Sequence, residues 1–158
     1  MKNAFGLGLM VSLFLLVSTG CKKGSEEEPV ANKSSSHGST ISHNMGQACM
    51  PCHSPGGSGS SEGLWILAGT VYTKDGSSVN PNGTIYLWSG ASGTGNLLAT
   101  LEVDGNGNFY TTSSILPAAG AYMQIKGTSG DIQNMPVVNV SGNCLGCHGV
   151  SAPKIWVN

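Results

Sequence analysis

An all-β fold, built as a two-sheet β-sandwich, is what this sequence predicts, and three observations carry the prediction. Short segments rich in Val, Ile, Thr, Tyr and Trp recur between residues 65 and 157, each ended by Gly, Asn, Asp or Pro. Glycine supplies 24 of the 158 residues, which favours turns over element interiors. No stretch beyond the N-terminal region keeps the 3.6-residue apolar period of an amphipathic helix.

The elements follow in order. Trp65 to Tyr72 is rich in strand formers, and Lys74-Asp75-Gly76 supplies the turn after it. Thr84-Ile85-Tyr86-Leu87-Trp88 alternates as a second strand. Leu97 to Val103 reads as a third, with Leu97, Ala99, Leu101 and Val103 on one face. Asp104-Gly105-Asn106-Gly107 is a strong hairpin signal, and Asn108-Phe109-Tyr110-Thr111 begins the return strand. Tyr122 to Lys126 makes another strand, Val137 to Val140 is extended, and Lys154 to Val157 ends the chain as a short strand.

The segments Gly69-Thr70-Val71-Tyr72, Asp75-Gly76, Gly83-Thr84-Ile85-Tyr86-Leu87 and Asp104-Gly105-Asn106-Gly107-Asn108-Phe109-Tyr110 resemble the carboxypeptidase-regulatory-like (transthyretin-like) module. That resemblance covers about residues 65–127. It implies an Ig-type sandwich over about 64–127 and is almost silent on function.

Two runs bracket this module: Cys49-Met50-Pro51-Cys52-His53 and Cys144-Leu145-Gly146-Cys147-His148. Both are C-x-x-C-H, the attachment sequence of a c-type haem. Cys49 and Cys52, and then Cys144 and Cys147, would each hold a porphyrin by two thioether bonds. His53 and His148 would be the proximal iron ligands. The two runs use every Cys except Cys21. Ser42-His43-Asn44-Met45-Gly46-Gln47-Ala48-Cys49 resembles the H-N-x-G-x-x-C-x-x-C-H run of multihaem cytochromes, and the second run fits the same kind of module. The resemblance implies an exported dihaem cytochrome with an Ig-like sandwich flanked by two haem-binding segments, the whole domain spanning 43–158.

His37 and His43 remain as candidate distal ligands, so the four His suffice for two bis-His haems. His43 sits in the motif-like run, and His37 in a Ser-rich stretch where solvation explains it equally well. Met45 and Met135 compete as distal ligands; Met123 reads as core. A zinc site is the rival use of the cysteines, but zinc pairs are spaced by about 15–20 residues, whereas 91 residues separate Cys52 from Cys144. Two disulfides would leave both histidines unexplained. The Asp104 turn lacks the acidic ligand of a calcium loop, and a β-turn accounts for it.

The N-terminus carries targeting information. Lys2, the apolar run Phe5 to Val17 and then Ser18-Thr19-Gly20-Cys21 resemble a lipoprotein signal peptide over 1–20, with Cys21 as the lipidated residue. Residues 21–42 read as a flexible tether. Lys22-Lys23-Gly24-Ser25-Glu26-Glu27-Glu28 resembles the acidic export tag of bacterial surface lipoproteins. These features imply an outer-membrane lipoprotein facing the periplasm or the cell surface, held to the membrane by lipid.

The expected function is electron carriage in the periplasm or at the cell surface, in anaerobic or extracellular respiration. Partner cytochromes or an extracellular acceptor would exchange electrons with it, and a homo-oligomer or filament would align its haems if they lie at opposite poles. A structural or adhesive lipoprotein with haem as a staple, and a haem gas sensor, are the other readings. Charged residues make up 9% of the chain, the formal net charge is −1 and Arg is absent, which argues against a nucleic-acid partner. No hydrolase or phosphate-loop motif is present, and without Arg a distal catalytic group is missing, so the expectation is not an enzyme.

Overall fold

The computed structural model describes residues 32–158. The expected signal peptide, Cys21 and the first part of the tether lie outside them. Among the described residues no helix is long and apolar enough to cross a membrane. Seven strands form among the described residues: β1 Leu67–Tyr72, β2 Thr84–Gly90, β3 Thr94–Glu102, β4 Asn108–Thr111, β5 Tyr122–Lys126, β6 Ile132–Asn134 and β7 Ile155–Trp156. One sheet has the order β4-β1-β7, the other β3-β2-β5-β6. All neighbours pair antiparallel except β1 and β7, which are parallel.

The core is the space between the sheets. Leu67 and Val71 from β1 and Phe109 from β4 meet Ile85, Leu87, Leu101, Met123 and Ile125 of the other sheet, with Val103 and Val157 closing the ends. β1 is buried along nearly its whole length because both its faces are covered. Leu67 and Val71 face the core, while Thr70 on the other face lies under the segment that carries the first C-x-x-C-H run.

Four expectations change. The Asp104 turn is not a hairpin: β3 pairs with β2 and β4 pairs with β1, so the turn carries the chain from one sheet to the other. Leu97 is exposed rather than aligned with Ala99, because the β2–β3 register slips between Leu87 and Trp88. Val137, Val138 and Val140 are exposed while Asn139 is buried and pairs its backbone with Ala121, so residues 137–140 contribute one isolated bridge and the strand after β5 is the short β6. The sheets also run past residue 127, since β6 and β7 belong to them.

Residues 32–42 are not a free tether. Ser34 pairs with Thr111 on the open edge of β4, and the amides of Ser35 and Thr112 bond to Tyr110 O and Lys33 O at 3.0 and 2.9 Å. This segment covers an edge that would otherwise present unpaired amides and carbonyls.

The inter-sheet turn is held by Asp104, which is fully buried. Its Oδ1 accepts the amides of Asn106 and Asn108, each at 2.9 Å. Replacing Asp104 with Ala strands both donors, and a buried unpaired group costs about 1–3 kcal/mol. Thermal unfolding should therefore show a clear drop in Tm for Asp104→Ala and a smaller one for Asp104→Asn, which keeps the acceptor. Equal losses would show that the turn does not depend on these bonds.

Candidate haem sites

Both C-x-x-C-H runs fold into the same tight turn. Cys49 O accepts the amides of Cys52 and His53 at 3.2 and 3.0 Å, and Cys144 O accepts those of Cys147 and His148 at 3.3 and 3.0 Å. Residues three and four apart on such a turn share a side. The first Cys, the second Cys and the His are thereby grouped. The four cysteines of the two runs are free thiols.

The histidines are prepared in the same way. His53 Nδ1 lies 3.1 Å from Gly63 O, and His148 Nδ1 lies 2.6 Å from Pro153 O. A carbonyl oxygen only accepts, so in each bond Nδ1 carries the proton and the neutral ring keeps its lone pair on Nε2. Metal-ligating histidines take this arrangement, with the second ring nitrogen tied to a carbonyl. The donor set at each turn therefore fits a c-type haem: two free thiols and one oriented imidazole nitrogen.

The first site is an open cleft of roughly 530 Å³, within the size range of small-molecule sites. Cys49, Cys52, His53, His43, Glu62, Trp65 and Tyr110 line it. Trp65 stacks on His53 with ring centres 4.4 Å apart and meets Tyr110 at 4.7 Å, which fixes the imidazole plane. His43 faces His53 across the cleft, their rings 6.2 Å apart and inclined by 33°. Ligand atoms of His43, His53 and Glu62 all lie within 4.8 Å of one another. His43 and His53 would be the two imidazoles offered to an iron in this cleft, with Glu62 Oε2 3.9 Å from His53 Nε2.

His43 owes its place to residues that sequence reading missed. Thr70 Oγ1 donates to Asn108 Oδ1 at 2.6 Å and accepts the Gly46 amide at 3.0 Å. Asn108 Nδ2 donates to Ser42 Oγ at 3.0 Å and to His43 O at 3.1 Å, and Asn106 Nδ2 donates to Ser42 O at 2.7 Å. The outer face of β1 and β4 thus grips the backbone on both sides of His43. The only sequence trace of this was the Asn-rich turn, which explains itself as a turn.

The second site is a smaller cavity of about 200 Å³ lined by Cys144, His148, Met123, Met135, Phe109 and Ile155 among others. Exposed Lys154 and half-buried Trp156 form part of its wall. Met123 and Met135, read from sequence as core and as a competing ligand, both stand in it. His37 reaches neither site. Its Nε2 lies 2.9 Å from Gly83 O and its amide donates to Glu102 Oε2 at 2.8 Å, on the flank of the sandwich. Four histidines therefore do not make two bis-His pairs in this fold. Met45 is exposed and lines neither site.

Both runs are anchored to β1. The Gly46 amide, three residues before Cys49, bonds to Thr70, and the Ala68 amide donates to Gly142 O at 3.0 Å, two residues before Cys144. Gly69 lets Cys144 approach, since a Cβ there would come within 3.1 Å of Cys144 Cβ and 2.5 Å of Phe109 Cζ. Burial pushes the Cys144 thiol up to about 12, with the neighbouring Cys49 adding to the rise. Burial raises Cys49 as well.

Because the folded thiol of Cys144 titrates above its unfolded value of 9.0, the unfolded chain loses that proton first. The contribution is intact below about pH 9 and is lost as pH rises toward 12. In the reduced haem-free chain at pH 8, iodoacetamide should label exposed Cys52 and Cys147 quickly and Cys144 only on unfolding. Labelling of Cys144 at the rate of Cys147, read by mass spectrometry, would contradict its burial.

Comparison with protein-family models, curated proteins and solved structures gave no match to the chain.

Proposed function

We propose that the chain is a dihaem c-type cytochrome that carries electrons in the periplasm or at the cell surface. One observation carries the reading: both C-x-x-C-H turns tie His Nδ1 to a backbone carbonyl and leave Nε2 with its lone pair, beside a cavity lined by Cys49 and Cys52 at the first run and by Cys144 at the second. Cys49 and Cys52 would hold one haem and Cys144 and Cys147 the other, with His53 and His148 as proximal ligands. Bound there, each haem supplies a one-electron iron couple. The protein's part is to orient the imidazoles and to keep both runs on β1. That common anchor favours electron exchange within one molecule over a wire of subunits with haems at opposite poles.

The same reading makes residues 1–20 a lipoprotein signal, Cys21 the lipidated residue and the outer membrane the location, with partner cytochromes or an extracellular acceptor as redox partners. It also takes the sandwich as carboxypeptidase-regulatory-like.

A second reading has one observation in its favour. Two histidines and a carboxylate within 4.8 Å form a set that binds divalent transition metals, and His43, His53 and Glu62 are such a set. A pyridine haemochrome assay on protein from a host with c-type maturation separates the two. Two covalent haems per chain, falling to one in Cys49→Ser/Cys52→Ser and to one in Cys144→Ser/Cys147→Ser, are expected. A haem-free chain that carries bound metal instead would sink the cytochrome reading.

A further inference from the structure

We infer that the two haem sites are unlike, and that the thioether of Met135 is the distal ligand at the second. The inference rests on the dihaem reading and deepens it. The described residues contain four histidines. His43 and His53 share the first cleft, and His37 is held by Gly83 and Glu102. The cavity beside His148 therefore receives no second imidazole. Of its other side chains, Gln124, Gln133 and Asn134 offer amides alone, two of them bonded to each other at 2.9 Å. Those with a sulfur or amine ligand atom are Met123, Met135 and Lys154.

Two of these are engaged. Met123 is 8% exposed and packs in the core, and its sulfur receives Asn139 Nδ2 at 3.2 Å. Lys154 Nζ donates to Gly76 O at 3.0 Å and lies 4.2 Å above the Tyr72 ring. Met135 is half-buried at the cavity wall, just beyond β6, with its amide bonded to Met123 O at 2.8 Å. That backbone bond fixes Met135 at the cavity and leaves its flexible side chain to adjust. A His/Met haem has a higher potential than a bis-His haem, so the second site is the more oxidising of the two.

The test uses the full chain with haem attached. Absorption, near-infrared magnetic circular dichroism and redox titration of the wild type should show one bis-His and one His–thioether low-spin haem, in two resolved waves. Met135→Leu, which conserves volume, should abolish the far-red sulfur–iron band and leave the other haem unchanged. Met135→His should restore low-spin iron and lower the upper potential. A wild-type spectrum with two covalent haems and no sulfur–iron band overturns the assignment while the dihaem reading stands. So does a band that survives Met135→Leu and disappears in Met123→Leu. A chain without covalent haem removes both.

Discussion

Replacing His43 with Ala in the haem-loaded protein should convert one haem of the two from low-spin to high-spin, able to bind carbon monoxide in the ferrous form, and leave the other unchanged. His43 is exposed and lies on a loop, so its removal should cost little stability, and surface substitutions usually stay within about 0.5 kcal/mol. The effect on coordination is large because the first cleft offers no other imidazole facing His53. Asn108→Ala should act through His43 without touching iron. It removes the bonds to Ser42 Oγ and His43 O and deprives Thr70 of its acceptor. A positioning role predicts a mixed-spin first haem whose low-spin fraction rises on cooling, as the loosened loop settles. A purely structural role predicts a lower Tm with an unaltered spectrum. Carbon monoxide binding to wild type at the first haem, or none to His43→Ala, would remove His43 from the iron.

How much of this was legible before folding depends on the range of the signal. Strand β5 and the start of β4 read correctly because alternation and turn residues act locally. The two C-x-x-C-H runs were legible for the same reason, being turns that close on themselves. What failed was non-local. The Asp104-Gly105-Asn106-Gly107 segment has hairpin chemistry, yet whether the strands it joins pair with each other is decided by their partners, β2 and β1. Leu97 carries the right alternation and loses its place to a register slip set by the facing strand. The docking of residues 32–42 could not be seen either, since Ser34 and Ser35 look like linker until the open edge of β4 is known to await them.

The ligand count illustrates the same limit. Four histidines and two motifs suggest a tidy pairing, but composition carries no distance. His37 is sequentially nearer to the first motif than any residue of β1 is, and still it lies on the far flank against Gly83 and Glu102. Met135 stands in the second cavity and His37 does not, and no spacing in the sequence shows either. Trp65, read as the start of a strand, instead precedes β1 and stacks on His53.

Phe109→Ala should be the most damaging single core substitution. Phe109 is fully buried, sits opposite Gly69 in the β1–β4 pairing, and fills the space that a side chain on Gly69 would otherwise occupy. Truncating a buried Phe costs about 3–5 kcal/mol, a large share of the roughly 5–15 kcal/mol that holds a domain together. Collapse cannot easily offset the loss here, because Phe109 also lines the cavity beside His148, so the void adds to an opening already present. Leu97→Ala is the control: Leu97 is 49% exposed and its truncation should fall within about 0.5 kcal/mol. Urea unfolding of the haem-free chain should give a much lower midpoint for Phe109→Ala and nearly none of that shift for Leu97→Ala. Similar shifts for the two would mean that the core does not lie between the sheets at Phe109. A haem attached at the second site would stay on the unfolded chain through its thioethers, so its native packing and iron ligation alone should recover part of the lost stability. The recovery should vanish in Cys144→Ser/Cys147→Ser, which separates the packing role of Phe109 from its place in the cavity wall.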